Sequence, residues 1–117
     1  MSIELTAGQE ALLRLPEPES FTERIAAEIR RDMLDETRHM SDQQLLSAVR
    51  ESYEFATYEL HITRLPTLVR WVRADTTSNG LLRREPALVL KMNLSAKPNL
   101  TAEDLLSIFR AQTNWRN

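Results

Sequence analysis

The chain has no cysteine. Disulfides, thiolate nucleophiles and cysteine metal sites are therefore excluded, and packing alone must hold the fold. Glycine is almost as scarce, with two in 117 residues, too few for most phosphate-cradling loops or nucleophile elbows; no H-E-x-x-H occurs either. Histidine also numbers two and lysine two, so the basic residues are almost all arginine. Arginine dominance fits a GC-rich bacterial genome and favours bidentate carboxylate contacts. No apolar run approaches the ~20 residues of a membrane span. The start, MSIELTAGQE, lacks the basic and then apolar order of a secretory signal. These absences predict a soluble, cytoplasmic chain with no membrane partner.

What the sequence does contain is a repeated helix-start signal. A hydroxyl residue precedes, by three positions, a side chain able to reach back to the first free amides at Thr6…Gln9, Ser20…Glu23, Ser41…Gln44 and Thr101…Asp104. The first predicts a short helix over about 6–15, ended by Pro16. The second predicts a helix from about Phe21 to Arg38, with Phe21, Ile25, Ile29 and Met33 on one stripe that Met40 extends. Ser41 should cap a long helix to about Ile62, with Leu45, Leu46, Val49, Tyr53, Ala56 and Leu60 facing inward. A break at Arg64–Pro66 opens a helix carrying Leu65, Leu68, Val69 and Val72, which should stop near Asp75. Thr76 to Gly80 reads as a flexible loop. Pro86 suits the first turn of a helix to about Leu94, although Leu88, Leu90, Met92 and Leu94 also alternate as a strand would. A strand would find no partner in this chain, so helix is expected. Leu100 should staple onto Leu105 beneath a cap at Thr101, opening a last helix with Leu105, Leu106 and Phe109 inward. The expectation is all-α: one compact domain over 1–117, a bundle of five or six helices with its main body at about 20–113.

No constellation reaches the density that catalysis or metal binding requires. Asp32, Asp35, Glu36 and His39 share one side of a helix, and Glu36-x-x-His39 has dinuclear-metal spacing. A second such pair is missing, because Tyr58 stands three residues before His61. Glu51 and Glu54 facing Asp32 and Asp35 could hold magnesium as in helical nucleotide pyrophosphohydrolases, but Glu54 falls on the wet face. No catalytic residue, metal or cofactor is assigned, and the chain reads as a non-enzyme; a carboxylate-metal helical enzyme is the third-ranked reading.

Charge is unevenly spread. Residues 1–63 hold 6 basic and 13 acidic side chains, and residues 64–117 hold 9 basic and 4 acidic. Such a dipole arises when two halves pack together, or when one face meets a charged partner. Arg64, Arg70, Arg73, Arg83 and Arg84, with Trp71 among them, make a basic surface that supports a nucleic-acid-associated regulator as the alternative. The acidic total and the missing helix-turn-helix signature weigh against it. On the long helix, Ala48, Phe55 and Ile62 recur every seven residues with Tyr58 beside them, forming a second apolar stripe. A helix apolar on two faces is either sandwiched in its own bundle or lies at an interface. The leading expectation is a small protein-binding module (adaptor, secretion chaperone or immunity-type inhibitor) that uses Ala48, Phe55, Tyr58 and Ile62. Its partner would be another protein or a second copy in a two-fold homodimer.

Overall fold

Proline stands at the start of four helices. A computed structural model describes residues 17–115, with side chains from 17 to 110; the helix expected over 6–15 lies outside them. Helix α1 (Pro18–Asp32) has Pro18 in its first turn, where a missing N–H costs nothing and the fixed φ is already helical. Ser20 is therefore inside the helix and caps nothing. Thr22 instead donates its hydroxyl to the Pro18 carbonyl at 2.7 Å. The helix breaks at Met33 (φ −131°, ψ 50°) rather than running to Arg38, and a single turn, α2 (Leu34–Thr37), follows. Arg30 folds over that turn and donates to the carbonyls of Thr37 at 2.7 Å and Met40 at 2.6 Å.

Helix α3 (Asp42–Glu54) starts as expected. The Ser41 hydroxyl accepts from the Gln44 amide at 3.1 Å, and the Ser41 amide donates to Gln44 Oε1 at 2.8 Å. The helix does not continue unchanged to Ile62. Residues Phe55–Glu59 form a π-helical turn, closed by Leu60 N–H to the Phe55 carbonyl at 3.1 Å. His61 then takes a left-handed φ of 59°, and Ile62 N–H returns to the Ala56 carbonyl at 3.0 Å.

Helix α4 (Leu65–Thr77) again begins at a proline, Pro66. The two amides ahead of it, those of Thr63 and Arg64, both donate to Asn99 Oδ1, at 2.9 and 3.0 Å. The segment expected as a loop after Asp75 is ordered capping structure. Asn79 and Gly80 are left-handed, Gly80 N–H bonds the Asp75 carbonyl at 2.8 Å and Asn79 N–H the Thr76 carbonyl at 3.2 Å. This nested pair is a Schellman cap. A short α5 (Leu81–Arg84) leads into α6 (Pro86–Asn93), which is helical and not a strand. Helix α7 (Pro98–Trp115) starts three residues before Thr101. Thr101 donates its amide to Lys97 instead, and its hydroxyl meets that of Ser95 at 2.6 Å. Leu100 remains 58% exposed, so the expected staple does not form.

The bundle is all-α: five helices of seven or more residues, with no strand among the described residues. Its core joins Phe21, Ile25 and Ile29 of α1 to Leu45, Val49 and Tyr53 of α3, with the Phe21 and Tyr53 rings 5.3 Å apart. Leu68, Trp71 and Val72 of α4 carry the core across to Ala102, Leu105 and Leu106 of α7. Burying each large side chain stabilises the fold by about 1.5–3 kcal/mol. Among the described residues, no helix is long and apolar enough to cross a membrane.

Candidate interaction surface

The stripe expected on the long helix does not survive as one surface. Ile62 is fully buried in the core, Phe55 packs half-buried against it, Ala48 is half-buried, and only Tyr58 projects, 61% exposed. The π turn and the left-handed His61 swing Ile62 inward, off the face that Ala48 occupies.

The arginines of the basic region are mostly committed. Arg73 pairs with Asp32 across the two halves at 3.2 Å, and Arg70 pairs with Glu103. Arg83 reaches both Glu51 at 3.2 Å and Asp75 at 2.7 Å. Arg84 donates to the Gly80 carbonyl at 3.3 Å, while the Arg64 side chain lies exposed. Trp71, which sits among them in sequence, is completely buried. The charge dipole is thus partly spent on joining the halves.

Asp32 turns toward arginines rather than toward the carboxylates near it in sequence. The hydrogen bond from Arg31 holds its carboxyl below the ordinary range, against the opposing effect of desolvation, and Arg73 adds to the lowering. Asp35 pairs with Arg38 at 2.8 Å. Among the described residues, no three His, Asp or Glu side chains come together as a metal-ligand set. Burial of Tyr53 pushes its phenol above the ordinary value, with a further rise from the charge of Tyr58.

The helix with two apolar faces is α6. Met92 is buried, with Leu88 and Val89 half-buried against the core. On the far side Pro86 and Ala87 are exposed, Leu90 is 59% exposed and Leu94 77%. At 100° per residue, Ala87, Leu90 and Leu94 fall within one narrow arc opposite Met92. The alternation of Leu88, Leu90, Met92 and Leu94 therefore belongs to a helix that is greasy inside and out. Of the eight large exposed apolar side chains among the described residues, Leu81, Leu90, Leu94, Leu100 and Ile108 all come from the stretch between the start of α5 and α7. Lys91 on this helix and Lys97 shortly after it, the only lysines, are exposed and make no ion pair among the described residues.

A concave feature lies between α1 and α3. These helices run antiparallel, with Arg30 meeting Asp42 at 3.3 Å at one end and Arg50 meeting Glu23 at 3.8 Å toward the other. Between those pairs runs a mostly apolar groove of about 440 Å³, lined by Ala26, Ala27, Leu45 and Leu46, with Arg30 and Arg31 also along it.

The molecule is thus an all-α bundle with an exposed apolar helix and a separate groove. Comparison with protein-family models, curated proteins and solved structures finds no match for this chain.

Proposed function

We propose that this chain is a small, non-catalytic, cytoplasmic protein-binding module whose contact surface is the outer face of α6. The observation that carries the reading is the pair Leu90 and Leu94, a helical turn apart and mostly exposed on a helix whose inner face is already packed. Solvent-facing leucines at this spacing cost solubility unless something covers them, and clustered apolar exposure marks interaction sites. Ala87, Leu90 and Leu94 follow the i, i+3, i+7 pattern by which one helix seats in the groove of another protein. This surface replaces the stripe of Ala48, Phe55, Tyr58 and Ile62, from which Ile62 is withdrawn. The nucleic-acid alternative loses support because Arg70, Arg73 and Arg83 are already paired with carboxylates.

The test is the double change Leu90→Asp and Leu94→Asp. Both positions face water, so stability should move by no more than about 0.5 kcal/mol each. Helical circular dichroism should stay the same while the native partner, captured with the wild-type chain, is lost. A folded variant that keeps every partner would refute the reading.

A further inference from the structure

We infer that the partner of the α6 face is a second copy of this chain, docked head to tail, with α6 of one copy seated in the α1–α3 groove of the next. The inference rests on the α6 reading above and specifies the occupant. The two features complement one another. The α6 face projects apolar side chains, with Lys91 on the same helix and Lys97 shortly after its end; the groove has an apolar lining and carries Glu23 and Asp42 beside Arg30 and Arg31.

Charge decides between the possible geometries. Residues 17–63, which build the groove, contain 11 acidic and 5 basic side chains; residues 64–110, which carry α6, contain 8 basic and 4 acidic. Arg30 and Arg31 also line the groove, but Arg30 is turned onto the carbonyls of Thr37 and Met40, and Arg31 onto Asp32 at 2.9 Å. Asp42 stays 97% exposed despite Arg30, and Glu23 is held only loosely by Arg50. Both carboxylates, although each meets an arginine of its own chain, are exposed to an incoming ammonium group. A two-fold pairing of α6 on α6 would instead oppose the lysines of one copy to those of the other, which is repulsive. A head-to-tail contact uses different patches on each copy, so it grows into a ring or an open chain rather than stopping at two.

The experiment is complementation by sedimentation velocity. Wild-type protein should gain mass with concentration beyond a dimer. Raising the ionic strength from about 0.05 to about 0.5 M should weaken that association roughly tenfold. One variant loses the projecting face (Leu90→Asp with Leu94→Asp). The other fills the groove at the exposed position Ala27 (Ala27→Arg). Each alone should sediment as a monomer, and an equimolar mixture should form a dimer through its single intact interface. In the wild type, zero-length carbodiimide coupling between isotope-labelled and unlabelled copies should join Lys91 or Lys97 to Glu23 or Asp42. That measurement holds even if a variant fails to fold.

A monomeric wild type at all concentrations overturns the inference, as does self-association of the Ala27→Arg variant or a mixture that stays monomeric. If the wild type is monomeric yet Leu90→Asp with Leu94→Asp still loses a foreign protein, the α6 surface stands and only its occupant was wrong.

Discussion

Asp75 has no exposed surface, yet carries a carboxylate. Its neighbours explain how it is tolerated. One oxygen accepts from the Arg83 amide at 3.1 Å, and the other lies 2.7 Å from Arg83 Nε. Arg83 can fold back this far because Gly80 turns the chain at φ +79° and has no side chain; a Cβ there would stand 2.8 Å from Arg83 Nη2. Removing one member of such a buried pair leaves the other uncompensated, which outweighs the lost attraction itself. Arg83→Ala should therefore destabilise the fold by about 3 kcal/mol in urea denaturation. Gly80→Ala should cost about 1–2 kcal/mol, through the left-handed φ and displacement of the guanidinium. If Arg83→Ala proves neutral, the pair does not stabilise this turn.

At the scale of elements, two signals compete for each helix start, and proline prevails. Ser41 has no proline before it and caps α3 through both bonds of its box. Ser20 and Thr101 show the same hydroxyl spacing, but Pro18 and Pro98 lie two and three residues upstream and start α1 and α7 first. Ser41→Ala should cost about 1 kcal/mol, and Ser20→Ala, which removes no cap, only a few tenths. Equal costs in thermal melts would contradict this ranking. The inward stripes of α1 and α3 were legible because their period of 3.6 is undisturbed. The surface role assigned to Ile62 failed because extrapolating by sevens assumes that period throughout. The π turn at Phe55–Glu59 has more residues per turn, and its ring closure cannot be seen in a pattern of apolar residues. Helix α6 was legible in an unexpected way. Its mixed period, which a strand would also explain, marks a helix with leucines on opposite sides.

For the whole molecule, the sequence shows the charge dipole but not how much of it the fold uses. Arg73–Asp32 and Arg83–Glu51 tie the basic half to the acidic half, yet Glu51 is mostly exposed and Asp32 and Arg73 are partly so. Ion pairs in such settings each stabilise by about 0–1 kcal/mol and weaken with salt. The apolar core is indifferent to moderate ionic strength. Unfolding free energy measured in urea should thus change by less than about 1 kcal/mol between low and high salt. Association through Lys91 and Lys97 brings unpaired ammonium groups onto exposed carboxylates of a separate molecule, so it should respond far more. Measuring both on the same preparations separates the two uses of the dipole. If stability collapses with salt while association does not, the charges serve the fold, and the acidic and basic halves were segregated to hold one copy together rather than to join it to the next.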